Sequence, residues 1–246
     1  MSLNHFINKI HRKLVHLRLR PIRVFCLHQV CLEYDPLRCT KNDWISVTSF
    51  MESMKVMLKN YSFISLTEAH HKLFTDYLRF KHYAVLSFDD GYRSNLLVLK
   101  WLDTQRIPYV LFLNGKYLNG QSCSLHLLEN ARRVKADINE IELADNLYLL
   151  PEDIRQMSAQ IGSHGFEHLD ATGLPRAGVK DLIQLNYAVF DQERINTIPF
   201  HAYTWGLRNK TTDEVLTELG IIPVLMDGQK NYDDSSVIHR ELFPID

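Results

Sequence analysis

Glycine and proline are scarce in this chain of 246 residues, which has 10 and 8 of them respectively. Such a composition excludes a collagen-like repeat, a low-complexity linker and a disordered tail. No stretch approaches the run of about 18 apolar residues that a membrane-spanning helix requires. With 46% hydrophobic and 23% charged residues, the chain has the composition of a globular protein that can bury a sizeable core.

Cysteine is also sparse, and Cys26, Cys31, Cys39 and Cys123 have no spacing typical of a disulfide framework. We therefore expect reduced thiols in a cytoplasmic protein. A zinc site built from Cys26, His28, Cys31 and Cys39 is an alternative, although their spacing matches no common zinc motif.

An excess of basic residues is confined to the beginning of the chain. Residues 1–23 hold six Lys and Arg and no acidic residue. The rest of the chain therefore carries 22 basic residues and all 29 acidic ones. This balance argues against a nucleic-acid partner. The basic arm, residues 1–22, lacks the features of a secretory signal. It could contact the inner face of a membrane, or it could be a surface helix that leads into the first strand.

Apolar runs typical of buried strands alternate with segments of helical periodicity. Continuous apolar strands separated by helices indicate a parallel sheet buried on both faces, as a doubly wound sheet or as a closed barrel. No glycine-rich phosphate loop follows the first strand, which disfavours a nucleotide-binding sheet. One helix is predicted over residues 40–59, with Thr40 and Asp43 as a capping box. Residues 114–150 are predicted to form a lid-like insertion with helical pieces. Strands are predicted over residues 23–28, 62–65, 83–88, 109–113, 160–163, 198–204, 221–226 and 237–239.

Polar residues follow several of these strands, at the positions where a β/α barrel carries its catalytic groups. Together they could supply the ligands, the base and the oxyanion donor of a metal-dependent hydrolase. The polar groups are His28, Asp89-Asp90-Gly91, the segment from Ser163 to His168, the segment from Tyr203 to Gly206, and His239-Arg240.

Two short motifs carry most of this chemistry. Asp89 and Asp90 are adjacent, so one could bind a metal while the other faces a water molecule; D-D-G is also typical of a simple turn. His164 and His168 are four residues apart and can reach one cation from a helical turn. A chain with 12 histidines also contains such pairs by chance.

Taken together, the motifs resemble those of the polysaccharide deacetylases with a NodB-like domain, which are divalent-metal carbohydrate de-N-acetylases. The resemblance covers residues 23–246 as a single domain and is strongest to the branch that acts on poly-N-acetylglucosamine. It implies an α/β fold, a distorted (β/α) barrel of about seven parallel strands. The segments that carry it are LSFDDGYRSN, IGSHGFEHLD and HAYTWGLRN.

The resemblance also implies roles for individual residues. Asp89 matches the general base, and Asp90, His164 and His168 match the ligands of a divalent metal, most often zinc. The backbone N–H of Trp205 matches an oxyanion donor. The expected reaction is the removal of N-acetyl groups from a sugar, a polysaccharide or a glycoconjugate precursor.

The general acid is open between His239, on the last strand, and His28, on the first. On that last strand the similar branch more often has an arginine, which here is Arg240. Two further motif positions differ from the family, since Thr204 replaces a proline and Gly165 replaces a serine or threonine. We expect these changes to weaken the support of the metal ligands. The alternatives are a degenerate homologue that binds a glycan without turnover and a related metal-dependent amide or ester hydrolase.

Overall fold

The central sheet is a closed ring of seven parallel strands, so the predicted (β/α) barrel is confirmed. The structure is a computed structural model that describes residues 20–39, 44–75, 80–232 and 236–245. Its strands are β1 (Ile22–Leu27), β2 (Gln29–Cys31), β3 (Trp44–Ser46), β4 (Ser62–Phe63), β5 (Tyr83–Asp89), β6 (Tyr109–Leu113), β7 (Gln160–Ser163), β8 (Phe200–Ala202), β9 (Ile222–Met226) and β10 (Ile238–Leu242).

Strand β1 closes the ring because it pairs with β10 on one side and with β5 on the other. From β5 the ring continues through β6, β7, β8 and β9 to β10. The short β4 pairs beside the beginning of β5, and β2 and β3 form a separate parallel pair. Since the ring strands are parallel, their carboxyl ends share one rim, and that rim carries the predicted site residues.

Helices in the described residues surround the ring and cover its outer face. Phe50, Met54 and Met57 of the first helix are buried at helical spacing, which explains why this segment is an amphipathic helix. The helices are α1 (Val47–Asn60), α2 (Leu66–Thr75), α3 (Leu96–Thr104), α4 (Leu125–Arg133), α5 (Glu140–Ala144), α6 (Pro151–Arg155), α7 (Arg176–Gln192) and α8 (Lys210–Glu218).

Side chains along each ring strand alternate between two apolar cores. On β5, Val85 belongs to the core inside the barrel, and Leu86 and Phe88 belong to the core between strands and helices. The same period of two brings Ser87 and Asp89 to the inner face. Polar residues at the end of a strand can therefore enter the barrel mouth above a dry interior.

The helix predicted over residues 40–59 begins later than expected. Thr40 and Asp43 lie outside the described residues, and Trp44–Ser46 form strand β3, which pairs with β2. The helix begins at Val47 because Ser46 caps it, accepting a hydrogen bond from the Ser49 N–H at 3.0 Å.

The segment over residues 114–150 contains α4 and α5 and has an apolar cluster of its own. Its centre is a stack of three aromatic rings, with Tyr148 between Tyr92 and Tyr117 at centroid distances of 5.4 and 4.7 Å. Because Tyr92 follows the D-D-G turn directly, this cluster fastens the segment to the carboxyl rim of the barrel.

The basic arm extends over residues that are mostly outside the described part of the chain, so its membrane role stays a prediction. Within the described ranges, no helix is long and apolar enough to cross a bilayer.

Candidate active site

A cavity at the carboxyl rim brings together six of the seven predicted site residues. Its lining includes both acidic residues of the D-D-G turn and both histidines of the H-x-x-x-H pair. The lining residues that sequence reasoning selected are His28, Asp89, Asp90, His164, His168 and Trp205. His239 does not line this cavity.

The backbone conformation of the D-D-G turn brings two adjacent carboxylates into one cavity. Asp89 ends β5 with its side chain inside the barrel, and Asp90 adopts a left-handed conformation with a φ of 67°. Aspartate tolerates this conformation better than most residues, at a cost of about 1 kcal/mol. Gly91 is also left-handed, and a Cβ on it would lie 2.7 Å from a methyl carbon of Leu113. Both carboxylates therefore enter the cavity, on different sides.

Asp90, His164 and His168 form a compact set of possible metal ligands. Their ligand atoms lie within 4.8 Å of one another, and the Nε2 atoms of His164 and His168 are 3.4 and 3.3 Å from Asp90 Oδ1. This oxygen is buried and has no hydrogen-bond partner among the described residues. One carboxylate oxygen and two imidazole nitrogens suit zinc and similar divalent cations. The residues thus fit the predicted metal.

Burial keeps both imidazoles in the neutral form that binds a metal. It lowers the pKa of His164, and it lowers the pKa of His168 to about 3, with the charges of His126 and His28 acting in the same direction. His164 Nδ1 lies 2.8 Å from the Ala202 carbonyl oxygen. A hydrogen bond there fixes the tautomer and leaves Nε2 for the cation.

Asp89 is held by a buried arginine, Arg240, which follows His239 on the last strand. Arg240 donates to both oxygens of Asp89, at 2.6 and 2.9 Å, and is only 1% exposed. Burial alone would raise the pKa of Asp89, but the Arg240 charge and His164 lower it well below its usual range. Asp89 is therefore ionised at neutral pH and can accept a proton.

The two candidates for the general acid lie in different places. His28 lines the cavity, with its Nε2 3.9 Å from Asp89 Oδ2. His239 instead has its Nδ1 2.8 Å from Asp227 Oδ2, away from the cavity. The reason is the alternation of β10, which brings Ile238 and Arg240 inside the barrel and leaves His239 on the other face.

The alternative cysteine zinc site is not formed. Cys26 and His28 face Asp89, whereas Cys31 and Cys39 lie beside each other with their sulfur atoms 3.8 Å apart. All four cysteines are free thiols.

Comparison of the sequence with known protein families matches the part of the chain that carries most of these site residues. The profile of the family described as polysaccharide deacetylase matches residues 79–224, which include both acidic residues, both histidines and Trp205. The chain belongs to the polysaccharide deacetylase family. Among curated proteins, none matches the sequence.

Solved structures of other proteins share the fold of this chain. IcaB from Ammonifex degensii has a TM-score of 0.69 at 17% identity, over 92% of each chain. The deacetylase PplD from Streptococcus pyogenes, in complex with acetate, has a TM-score of 0.72 at 16% identity, over 92% of this chain and 94% of that one. A de-N-acetylase from Aggregatibacter actinomycetemcomitans has a TM-score of 0.68 at 16% identity, over 90% of this chain and 94% of that one.

The altered motif positions of the deacetylase have structural substitutes. Thr204, in place of the family proline, donates to the His164 carbonyl at 3.1 Å. Asn114 donates to the same carbonyl at 2.7 Å and to that of Gly165 at 3.0 Å. Gly165 itself is left-handed, with a φ of 80°. The loop that carries the histidines is therefore held from two neighbouring segments.

Sequence reasoning missed His126, a lining residue of the deacetylase cavity that the 114–150 segment supplies. Its ring centroid lies 5.4 Å from that of His168 and 5.1 Å from that of Trp205. Nothing in its local sequence, S-L-H-L-L, distinguishes it from a helix histidine. Only the packing of the segment on the barrel rim brings it to the cavity.

Proposed function

We propose that this family member is a metal-dependent hydrolase that removes N-acetyl groups from an amino-sugar glycan. The observation that carries the proposal is the ligand set of Asp90, His164 and His168 beside an ionised Asp89. The buried Asp90 Oδ1 has no hydrogen-bond partner among the described residues, and a bound cation would satisfy it, which favours an active enzyme over a degenerate homologue. The acetate in PplD and the de-N-acetylase activity in the name of the Aggregatibacter protein are consistent with the same reaction.

The proposed reaction assigns each of its steps to residues of the chain. A divalent cation held by the three ligands would act as a Lewis acid toward the acetamide and activate water. Asp89 accepts a proton from the water molecule while the water oxygen bonds to the carbonyl carbon of the acetamide. The main-chain N–H of Trp205 stabilises the oxyanion. His28 then donates a proton to the nitrogen as the C–N bond breaks, which gives acetate and a free amine.

Arg240 contributes by holding the base. It fixes the orientation of the carboxylate through two hydrogen bonds and keeps it ionised.

One assay tests whether the protein releases acetate and which of the two histidines is the general acid. Acetate release from N-acetylglucosamine oligosaccharides would be measured for the wild type, His28→Gln and His239→Gln. We expect kcat to fall about 100-fold or more in His28→Gln, because general acid catalysis contributes about 10² to 10⁴ in rate. His239→Gln should stay within about threefold of the wild type, because His239 does not line the cavity.

The reverse pattern, with His239→Gln inactive and His28→Gln active, would show that His28 is not the acid. No acetate from any oligosaccharide, but hydrolysis of aryl acetates, would favour the related ester hydrolase instead.

A further inference from the structure

The mouth of the catalytic cavity carries an aromatic pair outside the metal ligand set. His126, from α4 of the 114–150 segment, and Trp205 both line the cavity, and their rings meet edge to face at 5.1 Å and 76°. His126 is not part of the ligand cluster of Asp90, His164 and His168. The reaction proposed above also assigns no step to either side chain.

Trp205 is held in an unusual position. Its φ is 58°, a left-handed conformation that costs a non-glycine residue about 1–2 kcal/mol. His168 and His126 both contact the indole edge to face, with centroids at 4.4 and 5.1 Å. Even so, 53% of Trp205 remains exposed. A strained and half-exposed tryptophan at a cavity mouth is typical of a ligand contact.

The segment that carries His126 is anchored rather than loose. The Ser124 N–H, which precedes α4, donates to the Tyr148 hydroxyl at 3.3 Å. Tyr148 stacks on Tyr117, and the Tyr117 hydroxyl accepts a hydrogen bond from the main-chain N–H of His168 at 3.0 Å. A chain of contacts therefore runs from the metal-ligand loop to the start of α4 and fixes the distance between His126 and the catalytic centre.

We infer that His126 and Trp205 form a subsite for the sugar ring that bears the acetamide. This inference rests on the proposed function. A pyranose has apolar C–H faces and a rim of hydroxyl groups, so it can stack on an indole while its hydroxyls hydrogen-bond to an imidazole nitrogen. His126 thus binds the leaving part of the substrate and sets which sugars the 114–150 segment admits.

Enzyme kinetics on two classes of substrate test the subsite. The variants are His126→Ala, His126→Gln and, as a matched control, His71→Ala, which changes an exposed helix histidine outside the cavity. The substrates are N-acetylglucosamine and N-acetylgalactosamine trisaccharides and 4-nitrophenyl acetate, which carries no sugar. His126→Ala should lower kcat/KM for the better trisaccharide about tenfold, mainly through KM, because one hydrogen bond and one ring contact are lost.

The same variant should leave kcat/KM for 4-nitrophenyl acetate within about twofold, and His126→Gln should recover part of the loss because it restores a polar partner. Titration calorimetry of that trisaccharide with metal-free protein gives a readout independent of turnover. There the Kd should rise about tenfold in His126→Ala and stay unchanged in His71→Ala.

The subsite would be contradicted if His126→Ala lowered kcat/KM equally for the trisaccharides and for 4-nitrophenyl acetate, or if it lost bound metal. His126 would then act in catalysis or in metal binding rather than in binding the sugar. Unchanged kinetics and unchanged Kd would contradict it as well. Failure of the proposed function looks different, since the wild type itself would then release no acetate from either trisaccharide.

Discussion

Replacing Asp89 with asparagine is expected to lower kcat about 10² to 10⁴-fold, the range that a general base contributes. Asparagine cannot accept the proton from water, but it keeps an oxygen that can accept one hydrogen bond from Arg240. Asp90, His164 and His168 remain, so the variant should keep its metal content. The measurement is acetate release beside the metal content of the same sample.

Asp181→Asn is the matched control, because Asp181 is exposed on α7 and does not line the cavity. It should retain the wild-type kcat. Full activity of Asp89→Asn would remove Asp89 from the role of base. Loss of metal together with activity would mean that Asp89 serves as a ligand.

Replacing Arg240 with methionine should destabilise the fold by about 3–5 kcal/mol, the cost of leaving a buried charge without its partner. Asp89 is only 2% exposed, so little solvent can replace the lost charge. The measurement is the free energy of unfolding from urea denaturation. Arg132→Met, at an exposed position of α4, is the control and should change stability by less than about 0.5 kcal/mol.

A double variant separates the ion pair from simple packing loss. Asp89→Asn combined with Arg240→Met should be more stable than the sum of the two single effects predicts, by about 1–3 kcal/mol, because no charge is then left unpaired. Strict additivity would contradict the pairing.

The ion pair of Asp89 and Arg240 also makes the stability of the wild-type protein depend on pH. The pKa of Asp89 is lowered in the folded state, so its stabilising contribution is complete above the unfolded pKa near 4 and declines as the pH falls below it.

The sequence was sufficient for the barrel and for most of the catalytic rim. Apolar runs such as residues 83–88 predict a strand buried on both faces, and parallel strands bring their carboxyl ends together. The residues alone also fitted a doubly wound sheet, a simple D-D-G turn and a chance pair of histidines. The resemblance to the deacetylase family decided for the barrel and for one shared site, where the Nε2 atoms of both histidines lie 3.4 and 3.3 Å from Asp90 Oδ1.

The alternation of side chains along β10 predicts which of His239 and Arg240 faces the inside of the barrel. Ile238 is apolar and belongs inside the barrel, so Arg240, two residues later, belongs there too, and His239 does not. A buried arginine at that position also needs an acidic partner, and Asp89 is the nearest carboxylate on the inner face.

His126 and strand β3 could not be predicted in this way. The place of His126 depends on how the 114–150 segment packs on the rim, and its helical sequence carries no mark of that contact. Strand β3 forms because Trp44–Ser46 pair with β2, and this pairing shortens the helix predicted over residues 40–59.

Metal content of the purified protein, wild type beside His164→Ala, tests the central claim most directly. After zinc is supplied and excess ions are removed, the wild type should retain about one equivalent per chain and His164→Ala well below half of that, because one of three protein ligands is gone. His71→Ala should match the wild type. If the wild type holds no metal, or if His164→Ala holds as much as the wild type, then Asp90, His164 and His168 are not a metal site and the proposed mechanism is wrong.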